Sequence, residues 1–286
     1  MMEVLDKKKI RKAFRDVQKH LAIAQLIRRY STNKEDIRKT ALKQVNLTNC
    51  KNVLELGCAF GAFTEALKDK LHPEAEIIGL DIVPEYKPFF LEACLRAGYS
   101  GYFSSTGIDK IKKYPPNFFD LVICSYALYF FPDMIPEIAR VLKKDRFFIT
   151  ITHSREDMRE IISIIKKILN QNNLTDENQF LPIEIIFDQF SAENGETLLR
   201  PFFSRIKAID FKNTLIFKPH EIDQILDYFQ FKKSFFLTRT DAHNKTIINQ
   251  LLLELRDTAV KNNLITICKD DRIFICSHAL IPKETS

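Results

Sequence analysis

The 286-residue chain has no tryptophan and no apolar run approaching the roughly 18 residues of a membrane span. Its first residues, MMEVLDKKKIRKAF, are basic, but no apolar block follows them, so no secretory signal is expected. Six cysteines, at 50, 58, 94, 124, 268 and 276, contain no C-x-x-C pair. That spacing argues against a zinc site, so no metal is expected, and it fits reduced thiols in a cytoplasmic protein. There is no internal repeat and no low-complexity tract. Phenylalanine, by contrast, is plentiful at 24 copies, and most of it is expected in the core.

The stretch Asn52 to Phe63, NVLELGCAFGAF, is the most informative. Val53 and Leu54 read as the end of a buried strand. Gly57, Cys58, Ala59 and Gly61 form a turn of small residues, and Ala62 to Leu71 looks helical. Such a turn lets backbone amides approach an anionic ligand closely. About twenty residues beyond Gly61, the apolar run IIGLDIV contains Asp81 at the end of the next strand. An acid at that distance can accept hydrogen bonds from the two hydroxyls of a ribose. The third glycine of a dinucleotide fingerprint is absent, because Thr64 stands in its place. The pattern therefore describes a nucleoside-binding half of an α/β sheet and argues against a dinucleotide.

VLELGCAFG followed by GLDIV resembles the first two motifs of class I S-adenosylmethionine-dependent methyltransferases. Phe119 to Phe131, FDLVICSYALYFF, resembles their fourth strand and the loop after it. Glu137 to Thr152, EIARVLKKDRFFITIT, resembles their helix, turn and fifth strand. The resemblance covers residues 37 to 153. It implies a Rossmann-like α/β sheet of parallel strands closed by a C-terminal antiparallel hairpin. It also implies S-adenosyl-L-methionine as cofactor. On the same resemblance Glu55, Gly57, Ala59 and Gly61 line the turn around the cofactor, and Asp81 and Ile82 hold ribose and adenine. Gly107 and Ile108 flank the adenine, and Ser125 sits near the sulfonium. Three departures stand out. Ala59 replaces a glycine and resists a positive φ. Asp145-Arg146 replaces a glycine pair. The signature of adenine-N6 methylation is missing at Ser125 to Leu128.

The expected organisation is an N-terminal helical segment over 1–50, a core over 51–211 and 262–286, and an inserted lid over 212–261. One helix is expected to reach Tyr30, with Ser31 or Thr32 capping a second. Strands are expected near 52–56, 76–81, 101–105, 119–124 and 146–152, and LITICKDDRIFICSHALI reads as a strand pair. His153 follows the fifth strand and is a candidate base; Tyr126 and Tyr129 are candidates to orient an acceptor. The lid's Phe217, Tyr228, Phe229, Phe231, Phe235 and Phe236, with Phe211 just before it, suit an apolar small-molecule acceptor or form a small core. The basic residues Lys7, Lys8, Lys9, Arg11, Lys12 and Arg15 read as a solvated helix face. The alternative is a phosphate contact, in a tRNA or rRNA methyltransferase. A non-catalytic cofactor-binding scaffold is a third reading.

Overall fold

The computed structural model describes residues 7–174, 180–237 and 241–280. Helices α1 (Lys7–Phe14), α2 (Val17–Tyr30) and α3 (Ile37–Leu42) come first. They are followed by β1 (Asn52–Leu56), α4 (Ala62–Ala66), β2 (Glu76–Leu80), α5 (Lys87–Ala97), β3 (Ser100–Ser104), β4 (Phe119–Ser125), α6 (Ile135–Val141) and β5 (Leu142–His153). Then come α7 (Arg159–Gln171), α8 (Pro182–Gln189), α9 (Gly195–Leu199), β6 (Phe203–Phe211) and β7 (Thr214–Phe217). The chain continues through α10 (Ile222–Phe236), α11 (Asp241–Asn262), β8 (Ile265–Cys268) and β9 (Asp271–Ala279). These elements form two compact units. A sheet unit comprises residues 35–152, 189–211 and 272–286, and a helical unit comprises residues 1–34, 153–188 and 212–271.

The sheet unit carries seven strands in the order β3-β2-β1-β4-β5-β9-β6. β1 pairs in parallel with β2 and β4, β2 with β3, and β4 with β5. Strands buried on both faces read as continuous apolar runs, and β4 is buried throughout except at Ser125. β6 and β9 run antiparallel. The Leu280 amide donates to the Phe202 carbonyl at 2.9 Å, while at the other end Arg272 pairs with Asp210 at 2.6 Å. The result is the expected Rossmann-like sheet with its closing hairpin.

In the helical unit, α2 and α10 lie side by side and antiparallel. The Tyr30 hydroxyl donates to Glu221 at 3.2 Å, and ten residues earlier on α2 the His20 ring stacks 5.2 Å from Phe231 of α10. β7 and β8 form a separate two-stranded antiparallel sheet. Ile161, Ile165 and Ile168 put one face of α7 into the interior. Phe217, Tyr228, Phe229, Phe231, Phe235 and Phe236 are all buried in this unit, and Phe211 is buried at the end of β6.

Several expectations are corrected. The first helix breaks in two because Asp16 caps α2, accepting from the Lys19 amide at 3.0 Å. Asp36, not Ser31 or Thr32, caps α3. Ser31 and Thr32 are instead bonded to Asn213. α4 stops at Ala66, short of Leu71. The strand pair around Asp270-Asp271 exists, but its members join different sheets, β8 pairing with β7 and β9 entering the large sheet. β5 begins at Leu142, and its register against β4 jumps so that Phe119 faces Leu142 while Leu121 faces Phe147. The residues between bulge outward, and from that bulge Lys143 and Arg146 reach Asp120 at 2.8 and 3.4 Å. The polar QNNLTDENQ stretch, expected as a loop, lies mostly outside the described residues.

Candidate cofactor and acceptor site

The site is built at the carboxyl ends of β1 to β4. After β1 the backbone enters the left-handed region three times, at Gly57 (φ +63°), Ala59 (φ +44°) and Gly61 (φ +79°). Ala59 therefore adopts the positive φ that a side chain resists, a correction to the expectation for this position. Gly57 and Gly61 have no room for a side chain. A Cβ at Gly57 would stand 2.5 Å from the Ala127 Cβ, and one at Gly61 2.6 Å from the Ala93 Cβ.

Asp81 organises this turn. Its Oδ2 accepts from the Ala59 amide at 3.0 Å, and its Oδ1 accepts from the amides of Ile82 (2.7 Å) and Val83 (3.0 Å). Its own carbonyl accepts from the Gly107 amide at 3.1 Å, which ties in the loop after β3. Burial pushes its pKa up, against the opposing pull of the three amides. A carboxylate offers about four acceptor positions, so Oδ2 keeps one for a further donor. Ile82 and Ile108 are half-buried, and a Cβ at Gly107 would lie 3.0 Å from the Ile82 methyl.

Glu55 is buried on β1 and accepts a 2.5 Å hydrogen bond from the Thr64 hydroxyl. Burial pushes its pKa up to about 7, opposed by that hydroxyl and by the charge of Arg38. Thr64 thus does more than fill the place of a missing glycine. Arg38 is the other residue that sequence reasoning passed over. It is held by Asp36 through Nε (2.8 Å) and Nη2 (2.9 Å), and its charge is felt by both Glu55 and Tyr126. Its signal in the sequence was faint, since an Asp-x-Arg at a helix start is common on surfaces.

Ser125 ends β4 half-exposed. Tyr126 has φ +56°, an uncommon conformation for an aromatic residue, while its amide bonds the Ile151 carbonyl at 2.8 Å. Tyr129 is buried in the following turn, edge-on to Phe130 at 4.7 Å. Cys58 and Cys124 are buried, and burial raises both thiols well above the usual range, which suits inert packing.

His153 ends β5, but its side chain belongs to a buried cluster of the helical unit. Nδ1 lies 2.7 Å from Asp271 Oδ1 and 3.0 Å from Lys269 Nζ. Lys269 Nζ is 3.1 Å from Asp157 Oδ1, and Lys232 Nζ is 3.8 Å from Asp157 Oδ2. Burial, then Lys269, holds the imidazole well below its usual pKa, so it is neutral.

Residues 53–145 match the profile of the Methyltransferase domain family. Over those residues the chain is similar to that family, and its sheet has the Rossmann-like fold of class I methyltransferases. No curated protein sequence matches it significantly. Among solved structures, a candidate methyltransferase of Bacillus halodurans aligns with a TM-score of 0.52 at 10% identity, over 87% of this chain and 100% of that one. The YcgJ protein of Bacillus subtilis aligns at 0.49 and 17% identity, over 84% and 97% of the two chains. A phosphoethanolamine N-methyltransferase of Haemonchus contortus, solved with phosphomonomethylethanolamine and S-adenosylhomocysteine, aligns at 0.44 and 12%, over 86% and 53%. At these identities the first likeness shows the fold alone.

Proposed function

We propose that the sheet unit binds S-adenosyl-L-methionine and that the protein methylates a small-molecule acceptor. The observation that carries the cofactor assignment is the Asp81 carboxylate. It bonds the turn amide of Ala59 and the amides that follow β2, and retains one acceptor position for a ribose hydroxyl. Gly57 and Gly61, where a Cβ would collide with Ala127 and Ala93, let the turn pack tightly against the loop after β4 and against α5. Ile82, Gly107 and Ile108 form an apolar wall suited to an adenine ring. Glu55 would face the cationic amino end and Arg38 the carboxylate. Bound there, the cofactor supplies an electrophilic methyl group for in-line displacement. The residues of this chain orient the reactants. Ser125 and the Tyr126 backbone shape the end of β4, and Tyr129 closes the turn behind them.

The aromatic residues of 212–261 are buried in the helical unit as its core, so they are not counted as the acceptor pocket. Incubating the protein with metabolite extracts and a methyl-labelled cofactor tests the acceptor class by mass spectrometry. Label in a low-molecular-weight product is the expected result. Label found only in RNA would replace this reading with the nucleic-acid alternative.

A further inference from the structure

The net positive charge of this protein is concentrated in one stretch. Residues 7–34 contain ten Lys and Arg and a single acid, Asp16, for a net +9. The whole chain is +6, so everything else sums to −3. That single acid is spent on capping α2. Lys9, Arg11, Lys12, Lys19, Arg28 and Arg29 are exposed and form no ion pair among the described residues. A groove of about 400 Å³ runs along α2 and α10, flanked by Lys19 and Arg29, with Gln25, Gln224 and Asp227 on its walls.

We propose that α1 and α2 form a docking surface for the phosphate backbone of a nucleic acid. Clustered, unpaired cations on adjacent helices are the electrostatic footprint of such a partner, and amide side chains add hydrogen bonds to sugar and phosphate. An anionic membrane fits less well. Stable membrane attachment needs an apolar anchor beside the basic patch, and neither helix exposes a large apolar side chain. Phe14 instead packs its ring 5.7 Å from Phe231, and Val17, Ile23 and Leu26 are buried. This inference concerns binding and stands independently of which acceptor is methylated.

The test is fluorescence anisotropy of the full chain with labelled bulk tRNA and with duplex DNA, between 50 and 200 mM KCl. If about four phosphates are neutralised, affinity for tRNA should fall roughly fiftyfold over that range, from a slope of about −0.7 per contact. The variant Lys9→Gln, Lys12→Gln, Lys19→Gln, Arg29→Gln should bind at least tenfold more weakly at 50 mM and show a flatter salt dependence. A control variant, Lys68→Gln, Lys70→Gln, Lys113→Gln, Lys144→Gln, should bind within twofold of the natural chain. All eight side chains carry their charge at the surface, and circular dichroism checks that both variants fold. Comparing the tRNA and duplex arms distinguishes RNA from DNA as the source of the phosphates. Absence of nucleic-acid binding at 50 mM, equal losses in both variants, or binding to phosphatidylserine vesicles alone would overturn the proposal.

Discussion

Glu55 and Asp81 are both buried carboxylates of one turn, and their hydrogen bonds set them apart. Asp81 accepts from three amides, whereas Glu55 accepts from one hydroxyl and titrates near pH 7. A ligand ammonium beside Glu55 would favour its ionised form and release a proton on binding. S-adenosylhomocysteine should therefore bind at pH 7 with an enthalpy that differs between phosphate and Tris buffers, and Glu55→Gln should remove the difference. Equal enthalpies for the natural protein would contradict this placement of the amino end. His20 titrates in the opposite sense to Glu55. Burial and the charge of Lys232 lower its pKa to about 4, so protonation favours the unfolded chain. The associated stability is complete above pH 6.5 and is lost as pH falls towards 4. Its edge is partly exposed, so the loss should be about 1–2 kcal/mol. Urea titrations at pH 7 and 4.5 should show a smaller drop for His20→Gln than for the natural chain; an identical drop would sink the idea.

At the level of elements, strand β1, its turn and the acid after β2 were readable because each is a local pattern of apolar run, small residues and spacing. The break between α1 and α2 was not, since it depends on Asp16 turning its side chain to the Lys19 amide rather than to solvent. The separation of β8 from β9 was hidden for a different reason. Its partner β7 lies some fifty residues away in sequence, and short-range alternation carries no trace of that pairing. The bulge at the start of β5 is the structural answer to the missing glycine pair. Asp120 holds it through Lys143 and Arg146 and also accepts from the amides of Lys51 and Asn52, both at 3.0 Å. Asp120→Ala removes the acceptor of two half-buried amide bonds and should cost about 1–2 kcal/mol, read from thermal unfolding. A variant as stable as the natural protein would mean the bulge is held some other way.

Across the whole molecule, chemistry and charge are divided. The methyltransferase profile spans 53–145, within the sheet unit, while the excess of Lys and Arg lies in the helical unit. The helical unit was the less legible of the two: the sheet unit has five of its strands in the single stretch 35–152, whereas the helical unit is shared among three shorter stretches and no window of sequence contains its core. Of the candidate site, Glu55, Gly57, Ala59, Gly61, Asp81 and Gly107 stand in local sequence motifs, and the structure gathers them at one edge of the sheet. Arg38 and Thr64 were missed because their importance lies in neighbours brought close only by folding. The account rests on cofactor binding at the Asp81 turn, and calorimetric titration with S-adenosylhomocysteine examines it directly, comparing the natural protein with Asp81→Asn after circular dichroism has verified the fold. Removal of the charge should weaken binding by about 2–4 kcal/mol, thirtyfold or more. No binding to the natural protein, or equal affinity in a folded Asp81→Asn variant, would contradict the account.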